Sequence, residues 1–256
     1  MSTSTKTQSP LINNVRYWIH NKQDAIEKTL SSGIQWNQDI VQFVQNMCKT
    51  NQVPVSHFVN VGAHIGSVAL PTARVVDRVT AIEANPVSFE RLVANCDLNN
   101  LKNVKCVQTA LGCSKGVAYL MSDQEVCPVE GINRLQNNSG GMHVFTPQDV
   151  ENNARSANLA DKTKQVPMTS LDNLALPRID FMVVDIEGSE YEFLQGAQKT
   201  LARDRPILVL EIWDNKKRQR ENMKMTREQT IEFVEKLGYR NTLRFGSEDF
   251  LFEPVP

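Results

Sequence analysis

From Val55 onward, short apolar runs alternate with segments of helical period. The runs are HFVNV at 57–61, RVTAIEA at 78–84, VKCVQTAL at 104–111, IDFMVVDIE at 179–187 and PILVLEIW at 206–213. Near-continuous apolar strands separated by helices predict a mostly parallel sheet covered on both faces. Two further runs, YRNTLRF at 239–245 and DFLFEP at 249–254, flank Gly246 and Ser247 and predict a C-terminal antiparallel hairpin.

Helix starts are legible between the runs. Asn85 precedes Pro86, Ser189 and Glu192 make S-x-x-E, and Thr226 and Gln229 make T-x-x-Q. Ahead of the alternating region, Ile40, Phe43, Val44 and Met47 recur at helical spacing. The expected organisation is therefore a disordered tail at 1–10, a helical leader at 11–54, and one α/β domain at 55–256. Within the domain, the polar stretch 124–164, with its Asn-Asn-Ser-Gly-Gly at 137–141, is longer than a connection needs and reads as a lid or insertion.

With 28 basic and 29 acidic residues in 256, composition gives no sign of a polyanion partner. The cysteines at 48, 96, 106, 113 and 127 show no metal-binding spacing, and their odd number suits a reducing compartment, so a cytoplasmic location is expected. The polar start MSTSTKTQSP is followed by no signal-like apolar segment, and no window approaches a membrane span.

The candidate chemistry begins at FVNVGAHIGSVAL, where the first strand enters a turn with Gly62 and Gly66 and then a helix. In an open parallel sheet, ligands sit outside the carboxyl ends of the strands where strand order reverses. The spacing is G-x-x-x-G, neither a dinucleotide fingerprint nor a phosphate loop. Glu83 ends the second strand about twenty residues on, where a carboxylate takes ribose hydroxyls. Asp185, Glu187 and Glu211 end later strands, so the rim is acidic. Such a rim repels a pyrophosphate and attracts a sulfonium and an ammonium, which selects S-adenosylmethionine. The plainer alternative makes the glycines turn formers and the acids solvated strand ends or helix-start charges. It requires all of these coincidences together.

These residues resemble the FkbM-type S-adenosylmethionine-dependent methyltransferases, a Rossmann-like family. VNVGAHIG is similar to that family's D-V-G-A-N-I-G, AIEANPVSFERLVANCDLN to its E-P-x-P-x-x-F-x-x-L-x-x-N, and VVDIEGSEYEFLQGA to its D-I-E-G-x-E-x-x-x-L-x-G-A. TALG, SLDNL and RPILVLEIW resemble further segments in the same order. Asn60 stands where the family usually has Asp, which removes a charge, and His64 where it usually has Asn. The resemblance implies that Asn60, Gly62, Ala63, His64 and Gly66 line the methionine side of the cofactor, Glu83 its ribose, and Ala84, Asn85, Thr109 and Ala110 its adenine. It places Asp185 beside the methyl group.

Methyl transfer to a hydroxyl needs alignment and a base. Candidates are Asp185, Glu187, Glu211 and His143, the first two expected on one side of a strand. The acceptor class that the family implies is a sugar, glycan or other small molecule. Clustered acids could also take a divalent metal, although no spacing demands one. The basic run at 216–227 offers an alternative RNA acceptor, though no aromatic lies within it to stack bases. A third alternative is a non-catalytic scaffold whose cofactor site is blunted at Asn60.

Overall fold

The computed structural model describes residues 6–21, 24–50, 55–121, 144–145, 163–220 and 223–256. A two-stranded ladder, β1 (Thr7–Gln8) with β2 (Trp18–Ile19), opens the chain, so pairing reaches into the stretch expected to be a tail. Helices Ala25–Ser31 and Gln38–Thr50 follow; the leader therefore mixes a ladder with helices. Asp24 caps the first helix by accepting from the Ile26 and Glu27 amides.

The central sheet has seven strands: β3 (His57–Val61), β4 (Arg78–Glu83), β5 (Val104–Gln108), β10 (Phe181–Val184), β11 (Ile207–Glu211), β12 (Tyr239–Phe245) and β13 (Asp249–Pro254). Their spatial order is β12-β13-β11-β10-β3-β4-β5. From β5 through β11 the neighbours run parallel, and β13 joins β11 antiparallel with β12 outside it. This is the expected Rossmann-like α/β sheet with its terminal hairpin. Direction of progression reverses between β3 and β10, which opens a crevice at their carboxyl ends.

Alternate residues of the strands feed two cores. Phe58, Val79, Phe181 and Val209 pack on one face with Ile40, Val44 and Leu92 of the helices. Val59, Ile82, Met182 and Leu208 pack on the other with Phe193, Leu201 and Val234. Burial on both faces explains why these strands read as unbroken apolar runs.

Three details depart from the sequence reading. The run VKCVQTAL breaks at Thr109: β6 (Ala110–Leu111) leaves the main sheet and pairs with β9 (Thr163–Thr169). With β7 (Gly116–Met121) and β8 (Val144–Phe145) these form a second, four-stranded sheet of order β6-β9-β7-β8. Beyond that pairing, the expected lid lies outside the described residues, as does His143. Finally, β10 ends at Val184, before the acids that were expected on it. Among the described residues no helix is long and apolar enough to cross a membrane.

Candidate active site

The cleft at the switch point encloses about 150 Å³, roughly ten times the room a single ordered water needs. Its floor is the glycine turn. Gly62 has φ +77°, and the Gly62 and Ala63 amides both donate to the Ile82 carbonyl at 2.9 Å, clamping β3 to β4. A Cβ on Gly62 would lie 1.7 Å from the Asp185 carbonyl oxygen, so only glycine lets the two strand ends meet. His64 follows in the same left-handed region, at φ 49°.

Glu83 is fixed by backbone. One carboxylate oxygen accepts from the His64 amide and the other from the Asn85 amide, each at 2.7 Å. Burial nevertheless pushes its pKa up to about 7, against the pull of those amides, and Asp185 adds to the rise. Asn85 caps helix Pro86–Leu98 by accepting from the Val87 amide, and its amide nitrogen donates to Ser88 Oγ. The Thr109 hydroxyl donates to backbone carbonyls where the strand crosses between sheets, including that of Pro167 at 3.1 Å. His64 is buried and its imidazole is driven down to about 4, so it is neutral at physiological pH. The turn thus presents no cation to a positively charged ligand.

The opposite wall is a set of carboxylates. Asp185 leaves β10 with its amide on the Val61 carbonyl at 3.0 Å. Glu187 then enters the left-handed region at φ 51°, followed by Gly188 at φ 102°. A tight turn, rather than strand alternation, brings Glu187 back toward Asp185, which corrects the expected same-face strand placement. Oxygens of Asp185, Glu187 and Glu211 lie within 4.8 Å of one another. The Trp213 indole N–H donates to Glu211 at 3.0 Å, and Lys217 Nζ sits 3.5 Å above the Trp213 ring. Burial raises the pKa of all three acids; mutual repulsion raises Glu187 and Glu211 further. Such a group shares protons instead of ionising completely. It can accept a proton, attract a cation, or offer oxygens to a hard divalent ion.

The Methyltransferase FkbM domain matches residues 60–241, most of the chain. This protein belongs to the FkbM methyltransferase family. A comparison with curated proteins found no match. Among solved structures, the chain is similar to methyltransferase FkbM from Methylobacillus flagellatus KT, at 15% identity and TM-score 0.49, over 80% of this chain and 46% of that one. It therefore spans about half the length of that protein. Other similar structures are a putative O-methyltransferase from Klebsiella pneumoniae (12% identity, TM-score 0.47, 87% and 81% covered) and a putative RNA methyltransferase from Pyrococcus horikoshii (7%, 0.45, 86% and 85%).

In this FkbM chain the cleft brings together Asn60, Gly62, Ala63, His64, Glu83, Ala84, Asn85, Thr109, Ala110, Asp185, Glu187 and Glu211. Gly66 lies behind them, at φ +94°, where a Cβ would strike Leu70 and Leu92. The sequence reading missed Asp249, which lines the cleft opposite Glu211 in the β11–β13 register and is pushed up to about 7, mainly by burial. A hairpin strand that starts beside the carboxyl end of β11 is the available signal. It also missed Ile26, Trp36 and Asn37 of the leader. The S-x-x-E start behaves differently from expectation. Ser189 makes no side-chain cap bond, and Glu190 accepts from the Gly188 amide at 2.7 Å instead.

The basic run is largely engaged within the fold. Arg218 is buried, 3.4 Å from Glu190, and donates to the Met225 carbonyl at 2.7 Å. Arg227 donates to the carbonyls of Ile212 and Trp213, and Lys224 pairs with Glu192 at 2.6 Å.

Proposed function

We propose that the cleft binds S-adenosylmethionine and that the protein methylates a hydroxyl of a sugar, glycan or other small acceptor. The supporting observation is the joining, in one crevice, of a glycine turn without cations, a backbone-fixed carboxylate at the end of β4 and a cluster of acids across from them. The residues fit the cofactor. Gly62 permits close approach along the turn, Glu83 keeps lone pairs for two ribose hydroxyls, and the acid wall complements a cationic centre. When bound there, S-adenosylmethionine supplies an electrophilic methyl group on a positively charged sulfur.

The chain's own residues do the rest. Asp185, anchored through its amide to β3, and Glu187, returned by the Gly188 turn, face the acceptor side. One orients the hydroxyl while the other takes its proton, and Glu211 and Asp249 share the charge. A carboxylate whose pKa lies above its ordinary range suits proton abstraction near neutrality. Engagement of Arg218, Lys224 and Arg227 in contacts within the fold favours a small acceptor over RNA, since those cations are committed elsewhere.

The test has two parts. Calorimetry with S-adenosylhomocysteine should give saturable binding, and a mass-shift screen of hydroxylated acceptors should give a gain of one methyl. Asp185→Asn or Glu187→Gln should then slow transfer by about two to four orders of magnitude with cofactor affinity changed only a few-fold. No binding at millimolar ligand sinks the proposal; full activity in both variants sinks the base assignment.

A further inference from the structure

Resting on that cofactor reading, we infer that the segment 24–37, which precedes the matched domain, is a built wall of the site. Trp36 and Asn37 contact the amino-acid half of the ligand. Ile26, Trp36 and Asn37 line the cleft together with Ser67 and Val68, and Gln35 ties the leader to Ser67 after the glycine turn. With the ribose at Glu83 and the methyl facing Asp185, the remaining half of the ligand lies along that turn, against the leader.

The segment is held by buried polar contacts. Gln35 Nε2 donates to the Ser67 carbonyl at 2.6 Å and to the Trp36 carbonyl at 2.7 Å, tying the two neighbours of the cleft together. Asn95, fully buried, accepts from the Trp18 amide at 2.8 Å and donates to the Ile65 carbonyl at 3.0 Å, bridging leader and turn. Glu27 is ion-paired with Arg91. Asn37 sits at φ 50°, a conformation asparagine tolerates better than most residues.

Charge explains why such a wall is needed. The ligand's amino-acid half carries a carboxylate, which Glu83, Asp185, Glu187, Glu211 and Asp249 would repel. Near the leader, Glu27 is neutralised by Arg91 and Asp24 is occupied with the helix-start amides. The Asn37 carboxamide can donate to a carboxylate, and the Trp36 face suits the adjacent cation.

The experiment compares S-adenosylhomocysteine with 5′-methylthioadenosine, which lacks the amino-acid half, by calorimetry on the full chain and on Trp36→Ala and Asn37→Gly. Glycine preserves the left-handed backbone at 37. Both variants should bind S-adenosylhomocysteine tenfold or more weakly and bind 5′-methylthioadenosine within twofold of the parent while remaining folded; Trp36→Ala should melt lower because Trp36 also packs on the core. Equal losses for both ligands, or no loss for either, overturn the inference. Failure of the parent to bind both ligands overturns the cofactor reading itself, and this one with it.

Discussion

The two ends of the cleft hold carboxylates by different means. At the turn end, Glu83 has an amide on each oxygen, from His64 and Asn85, so the fold specifies where its free lone pairs point. At the acid end, Asp185, Glu187, Glu211 and Asp249 mainly face one another, with the Trp213 indole on Glu211 and Lys217 held over that indole. The same group is therefore held by backbone amides in one place and crowded by other carboxylates in the other. Backbone donors fix geometry at the turn end; burial raises the pKa of the carboxyls at both ends, and like-charge crowding raises Glu187 and Glu211 further.

That contrast can be broken from either side. The largest effect belongs to Gly62→Ala, which puts a Cβ into the Asp185 carbonyl at a left-handed φ. The strain and the forced separation of the strand ends should cost about 2–5 kcal/mol by urea unfolding, and ligand binding should vanish with the turn. Native-like stability would show that the two strand ends do not meet as described.

Glu83→Gln tests the anchor more gently. A carboxamide must turn its N–H₂ toward one of the two backbone donors, leaving an opposed pair at a cost of roughly 1–3 kcal/mol. S-adenosylhomocysteine affinity should fall about tenfold, while the charge-conserving Glu83→Asp, one methylene short, should also fail to restore it. Full affinity in Glu83→Gln would mean that the anchor does not depend on those amides.

The smallest effect tests the buried carboxyls of the cleft and its surroundings. Asp249, Glu83 and Glu190 each stand at about 7 in the folded chain, above the ordinary carboxylate range. Between their unfolded and folded values the native state holds protons that the unfolded chain has released, so stability is present at low pH and is lost as pH rises through 7. The ligand-free melting temperature should therefore fall between pH 5 and pH 8. Asp249→Asn should make that slope shallower without lowering the pH 5 value. A melting temperature that rises over the same range would show that these buried carboxyls do not hold protons near neutrality.

Much of this was readable from the residues alone. Strands buried on both faces must be apolar throughout, so β3, β4, β10 and β11 declare themselves, and Asn85-Pro86 and Thr226…Gln229 mark helix starts that the caps confirm. The glycine turn was legible because φ +77° at a strand end leaves few other residues available. The short second sheet was not, since β6 has only two residues and pairs with β9 some fifty positions away. Arg218 was equally opaque: a charge run looks solvated until a buried Glu190 is folded against it.

The sequence by itself determined the sheet, its order of strands and helices, the family, and which acids stand near strand ends, because burial period and turn chemistry are local properties. Only the tertiary structure decided that Glu187 returns to Asp185 through a left-handed turn, that Asp249 arrives from the terminal hairpin to face Glu211, and that Trp36 and Asn37 close the cleft from outside the matched domain. The last two placements depend on contacts between distant segments, and the first on a backbone turn, none of which periodicity or spacing carries.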